Sequence, residues 1–258
     1  MADIRIIFFD IDGTLVDPGT GRISDRTKEA LVRLRQRGFL LCIATGRPPA
    51  SLPDLTGLHF DAFLTCNGAL CYTDDRLIAE NPIPAEAVRT VIANAAKLGR
   101  PVTVAARDRL AANGLDPDLA EYYRMAGLEL TVAEDFDAVA AGDVYQMMLG
   151  CRKADHETII RGAEGASITY SWDRAADIIP LSCGKGAAIG KILAHFNLDV
   201  SQAMAFGDGH NDMEMLQAVG TGIAMGNAAA GLKAIADDVC GPAWEDGIFH
   251  YCVDHGLI

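Results

Sequence analysis

Positive charge is what this chain has least of. Lysine and arginine number 22 against 35 aspartates and glutamates, a formal net charge of −13. With no basic run to offset that excess, neither nucleic acid nor an anionic membrane is an expected partner. No apolar stretch reaches the roughly 18 residues that a membrane-spanning helix needs. The amino terminus shows no basic, apolar and small-residue leader pattern, so the expected location is cytoplasmic. The cysteines (Cys42, Cys66, Cys71, Cys151, Cys183, Cys240 and Cys252) form no C-x-x-C pair, and several sit in apolar runs. They read as small buried hydrophobes in a reducing compartment, not as a disulfide frame or a zinc site. Internal repeats and low-complexity segments are also missing.

What is present is a core. Half of the 258 residues are hydrophobic, enough for one large domain or two modest ones. The chain is organised around RIIFFDIDGTLVD, Arg5 to Asp17. Its apolar run, Ile6 to Phe9, reads as a buried strand of a parallel sheet. Asp10, Ile11, Asp12, Gly13 and Thr14 follow it. Side chains two apart on a strand share a face, so Asp10 and Asp12 would converge if the chain bends at Gly13. Two such carboxylates repel each other and lose hydration, and a hard cation such as Mg2+ would relieve both penalties. The ordinary alternative is a strand followed by an Asx turn.

Further along, Asp25 to Arg37 reads as a helix ended by Gly38. Phe39 to Ala44 reads as a second buried strand, ending in Thr45, Gly46 and Arg47. Ligands of open α/β sheets bind beyond the carboxyl ends of the strands, which is where Thr45 falls, although it would serve equally as a helix cap. Ala62 to Cys66 is a third apolar run, and the Asn67-Gly68 pair after it fits a hairpin turn into Leu70 to Tyr72.

From Pro82 the texture changes. Helices are expected over 85–98, 116–126 and 154–163, and strands over 101–106, 109–112, 144–150, 167–172 and 177–179. Helices mixed with antiparallel-looking strands imply an α+β module over 83–181, with crossings near Pro82 and Pro180. The α/β texture resumes over 182–258, with a helix expected over 187–195 after Lys185, a strand over 202–206 and a helix over 213–218. A short strand over 222–225, a helix over 232–236, a strand over 238–240 and a helix over 244–255 complete it.

Four strand ends or helix starts thus carry polar residues: DxD, TG, the GKG around Lys185, and GDGHND with Asp208, Asn211 and Asp212. Each alone has an ordinary explanation as a cap or a solvated charge. Together they suit phosphoryl transfer. A buried aspartate can attack phosphorus, and the reaction needs positive charge, a hydroxyl and N–H donors around the phosphoryl oxygens.

The pieces DIDGTLVD, ATGR, CNGA, GKGAAIGKIL, GDGHNDMEML, GIAMGNA and EDG resemble the haloacid dehalogenase (HAD) superfamily, and within it the Cof-type, class IIB phosphatases. The resemblance implies a Rossmann-like parallel-sheet core, 1–82 with 182–258, and an inserted α+β cap of the C2B type. It implies a Mg2+-dependent phosphatase of a small phosphorylated metabolite, with Asp10 as nucleophile and Asp12 as general acid and base. It implies phosphoryl contacts from Ile11, Thr45, Gly46, Lys185 and Asn211. It implies metal binding by Asp10, Asp12 (through its carbonyl) and Asp208, supported by Asp212. The cap would select the leaving group. Sugar phosphomutase chemistry and a catalytically idle metabolite sensor are the alternatives, and a monomer or weak homodimer is expected. In one departure from the family's pattern, Gly184 precedes Lys185 where serine is commoner.

Overall fold

The computed structural model describes residues 3–170 and 172–258. In chain order the elements are β1 (Ile6–Phe9), α1 (Asp25–Gln36), β2 (Leu40–Ala44), β3 (Ala62–Thr65), β4 (Leu70–Tyr72), β5 (Leu77–Glu80), α2 (Ala85–Lys97), β6 (Val102–Ala105) and β7 (Leu110–Ala112). There follow α3 (Pro117–Met125), α4 (Phe136–Ala140), β8 (Gln146–Gly150), α5 (His156–Ile160), β9 (Ala166–Thr169) and β10 (Ala175–Pro180). The last are α6 (Lys185–Phe196), β11 (Ala203–Gly207), α7 (Met213–Gln217), β12 (Thr221–Ala224), α8 (Ala230–Lys233), β13 (Asp238–Val239) and α9 (Gly247–Asp254).

The chain divides into two compact units. One comprises the chain up to Gly46 with Pro53–Ala79 and Gly184–Ile258; the other comprises Arg47–Leu52 with Glu80–Cys183. The sequence expectation put Arg47–Leu52 in the first unit. Arg47 instead donates from Nη1 to the carbonyls of Ser51 (2.8 Å) and Ala126 (3.0 Å), a tie between distant segments that no local pattern announces. The two crossings fall a few residues outside Pro82 and Pro180. They are joined by the Asn81 amide, which donates to Ser182 Oγ (2.8 Å) and contacts Cys183 Sγ.

The first unit is built on a sheet of order β13-β12-β11-β1-β2-β3-β4-β5, parallel from β13 through β3 and antiparallel at β4. β1 lies between β11 and β2, covered on both faces. Ile6, Ile7, Phe8 and Phe9 are therefore fully buried, each stabilising the fold by roughly 1.5–3 kcal/mol. Phe9 stacks on Phe206 of β11 at 5.5 Å. On one face, Ile189, Ile192 and Leu193 of α6 and Met215 and Leu216 of α7 pack against Ile6, Phe8, Cys42 and Leu64. Ser24 caps α1 by accepting from the Thr27 N–H at 3.0 Å.

The second unit is a five-stranded antiparallel sheet of order β7-β6-β8-β10-β9. One face carries Val102, Val104, Met147, Leu149 and Ile178 against Val88 and Val91 of α2 and Ile159 of α5. The other carries Ala105 and Met148 against Leu119 and Tyr123 of α3.

Several elements depart from expectation. β5 and α4 lack a strong periodic signal and were not expected. α5 is half its expected length, and α9 begins at Gly247 because Trp244 lies in a short 3-10 turn. α6 begins at Lys185, two residues early, so that lysine is the helix's first residue. Ser171, within the strand expected over 167–172, lies outside the described residues. All seven cysteines are thiols, six of them buried. Among the described residues no helix is long and apolar enough to cross a membrane.

Candidate active site

Asp10 follows the last residue of β1, and its N–H continues the ladder to Phe206 O at 3.0 Å. The strand ends there, so strict alternation does not extend to residue 12. Asp10 is buried, and Asp12 is exposed in an isolated bridge with Val16, close enough for its charge to act on both Asp10 and Asp208. Two further carboxylates reach Asp10 from the neighbouring strand's loop. Oxygens of Asp10, Asp208 and Asp212 all lie within 4.8 Å of one another.

Lys185 completes the group. Its ammonium is fully buried and donates to Asp10 Oδ1 and Asp212 Oδ1, each at 2.6 Å. Asp212 is spoken for on both oxygens, since Oδ2 accepts from the N–H groups of Asp208 (2.9 Å) and Gly209 (2.8 Å). Asp208 accepts from Thr14 Oγ1 (3.1 Å) on Oδ1 and from Asn227 Nδ2 (3.2 Å) on Oδ2. The same Asn227 amide donates to Gly13 O at 2.8 Å and accepts from the Ala243 N–H at 3.0 Å. It therefore ties the loop after β12 to the loops after β1 and β11. Gly13 is required twice over: its φ is +83°, and a Cβ there would lie 2.2 Å from Asp208 Oδ2.

Thr45, at the end of β2, is buried, and its N–H donates to Leu64 O at 2.8 Å. Gly46 and Asn211 are half-buried, and Ile11 is fully buried. Asn211 donates to Asn67 Oδ1 at 3.1 Å. The expected site residues thus lie at the carboxyl ends of β1, β2 and β11 and at the start of α6. Thr14 and Asn227 are not among the residues the sequence singles out. Their signals, the Thr of DGT and the Asn of MGNA, are ordinary turn chemistry, and only the fold shows that both hold Asp208. The glycine at 184 also has a local reason, since a Cβ there would lie 2.1 Å from Glu214 Oε2. A serine would require that glutamate to swing away.

The charge balance is one-sided. Burial pushes the Asp10 carboxyl well above its usual range, and Asp212 adds to it, with Lys185 opposing. Asp208 is raised to about 7 by burial and then by Asp212. For Lys185, burial favours the neutral amine, but Asp10 and Asp212 outweigh it and hold the ammonium above its ordinary range. Three clustered carboxylates against one cation leave hard oxygen donors in need of positive charge, a donor set that suits Mg2+.

A parallel sheet ending in a carboxylate cluster and a buried lysine is the equipment of an α/β enzyme that handles phosphoryl groups. Comparison with known proteins specifies it further. The sequence profile of the haloacid dehalogenase-like hydrolases matches residues 7–252. YkrA of Bacillus subtilis strain 168 is 32% identical over 99% of both chains. An HMP-PP phosphatase of Escherichia coli is 29% identical over 96% of this chain and 94% of its own. Among solved structures, a HAD subclass IIB sugar phosphatase superposes with a TM-score of 0.91 at 31% identity, covering 98% of this chain and all of the other. The chain belongs to the haloacid dehalogenase-like hydrolases and is a phosphatase of that family.

Proposed function

We propose that the protein is a Mg2+-dependent phosphatase that hydrolyses a small phosphorylated metabolite through an aspartyl-phosphate on Asp10. The observation that carries this reading is the buried Asp10 carboxylate, gripped on Oδ1 by Lys185 at 2.6 Å and clustered with Asp208 and Asp212. Oδ2 is left to attack phosphorus. As that bond forms, the ester P–O bond breaks, and Asp12, exposed beside the site, gives its proton to the leaving oxygen. Asp12 then takes a proton from water. The water oxygen attacks phosphorus, the P–O bond to Asp10 breaks, and inorganic phosphate and the free carboxylate are restored.

Lys185 neutralises developing charge on the phosphoryl group, and Thr45, Ile11, Gly46 and Asn211 orient it. Asp10, Asp208 and the Asp12 carbonyl would hold Mg2+, which when bound supplies further positive charge to the phosphoryl oxygens. Asp212, with both oxygens engaged, supports the site by holding Lys185 and the loop after β11. The relatives, which include a sugar phosphatase and an HMP-PP phosphatase, support a small phosphorylated metabolite as the substrate. We assign selection of the leaving group to the second unit, because the phosphoryl-handling side chains all belong to the first.

The test is Asp10→Asn, nearly isosteric but a far weaker nucleophile. Phosphate release from a panel of phosphorylated metabolites is expected to fall by at least about 10^3-fold, with circular dichroism unchanged. Retention of a substantial fraction of wild-type turnover would refute the mechanism.

A further inference from the structure

The turn after β3 is not used by the chemistry above. Cys66, Asn67 and Gly68 have φ of +51°, +51° and +93°. Two successive non-glycine residues in the left-handed region are unfavourable, although asparagine is among the best tolerated there. The turn buries Asn67, leaving it only 2% exposed.

Asn67 is held from several sides. Its N–H donates to Thr45 O at 3.1 Å, and its Oδ1 accepts from Asn211 Nδ2 at 3.1 Å. A Cβ on Gly46 would lie 3.1 Å from Asn67 Oδ1 and 3.2 Å from Nδ2, so the amide lies directly over Gly46. A Cβ on Gly68 would lie 2.7 Å from Gly184 O, which sets the turn against the start of α6 beside Lys185. The amide is thus placed against two of the segments to which the proposed function gives phosphoryl contacts, and its turn against the third. Its Nδ2 finds no hydrogen-bond partner among the described residues. Burying a donor without a partner is costly, and a turn that needed only a left-handed residue would avoid that cost with glycine.

We propose that Asn67 binds the phosphoryl group, donating from Nδ2 to a non-bridging oxygen while Oδ1 keeps the Asn211 amide in place. The acceptor is an anion, so the bond is charge-assisted and stronger than a neutral one. This assignment rests on the phosphatase reading.

The test compares wild type, Asn67→Gly and Asn67→Asp. Glycine keeps the left-handed turn and removes only the amide. Aspartate keeps an oxygen for Asn211 and replaces the donor with negative charge. The probe is inorganic phosphate, measured as a competitive inhibitor of p-nitrophenyl phosphate hydrolysis and by calorimetry, with melting temperatures recorded alongside. Asn67→Gly is expected to weaken phosphate binding on the order of tenfold, with KM for the ester rising more than kcat falls, and Asn67→Asp to weaken it further. Should Asn67→Asp fail to fold, Asn67→Gly decides alone. If Asn67→Gly changes only the melting temperature and binds phosphate as wild type does, the residue is a turn former and the proposal is overturned. If wild type itself neither binds phosphate nor releases it from any monoester, the phosphatase reading falls, and this assignment with it.

Discussion

A buried ammonium survives only if its surroundings hold its charge, and Lys185 is held by carboxylates on two sides. Lys185→Met keeps most of the length and removes the cation. Activity is expected to fall by roughly 10^2–10^3-fold, the scale of losing one preorganised donor. Stability of the metal-free protein is expected to fall by about 3 kcal/mol at pH 8, since Asp10 and Asp212 then face each other unopposed. Acidification should relieve the loss. A carboxyl whose folded-state pKa is raised binds more protons folded than unfolded, so its unfavourable contribution grows as pH rises and fades as pH falls. Denaturant unfolding at pH 5 and pH 8, in chelator, checks this; equal destabilisation at both would contradict the charge arrangement.

Elements of the second unit are joined by one carboxylate. Asp118, in the first turn of α3, accepts from Arg100 (3.2 Å) ahead of β6, Arg152 (3.0 Å) beyond β8 and Arg174 (2.9 Å) ahead of β10. Burial alone would raise its pKa, but Arg174 and Arg152 outweigh burial and hold it below the usual carboxylate range. Such a depressed group stabilises the fold above its unfolded-state pKa of about 4, and the contribution is lost as pH falls through its folded-state value. Asp118→Asn should therefore destabilise this unit at pH 7, with the difference from wild type shrinking below about pH 4. The expected cost is roughly 2 kcal/mol, less than for a fully buried pair, because the Arg152 and Arg174 side chains remain 46% and 39% exposed and solvent screens them. Chemical denaturation against pH measures it, and a pH-independent difference would show that charge is not what joins these elements.

At the scale of the whole molecule, phosphoryl chemistry and substrate choice are assigned to different units. Activity is expected to require Mg2+, to disappear in excess EDTA and to return poorly with Ca2+, which prefers more ligands at longer distances. Mg2+ should also raise the melting temperature of the wild type, since a cation that binds only the folded state stabilises it by about 2.7 kcal/mol at 100 times its Kd. Asp208→Asn should lose most of that rise; full activity in chelator would refute the metal assignment. Exchanging residues 80–183 for the matching unit of a relative should reorder the preferred esters while hydrolysis of p-nitrophenyl phosphate persists. An unchanged ranking in a folded chimera would place selectivity in the first unit.

The sequence by itself determined the parallel strands, because β1, β2, β3 and β11 are buried on both faces and must be written as apolar runs. It also determined which strand ends carry the chemistry, since Asp10, Thr45 and Asp208 end those runs with polar residues close to glycines, and Lys185 stands between two glycines at the start of α6. Only the tertiary structure decided which carboxylates meet. Alternation along one strand offers Asp10 only Asp12, whereas β11 lying beside β1 adds Asp208 and Asp212, from some 200 positions away. The same holds for Thr14 and Asn227, and for the left-handed turn that buries Asn67. Each is an ordinary turn residue by local pattern, and each gains its role from strands paired far apart in the chain, where local propensity carries no information.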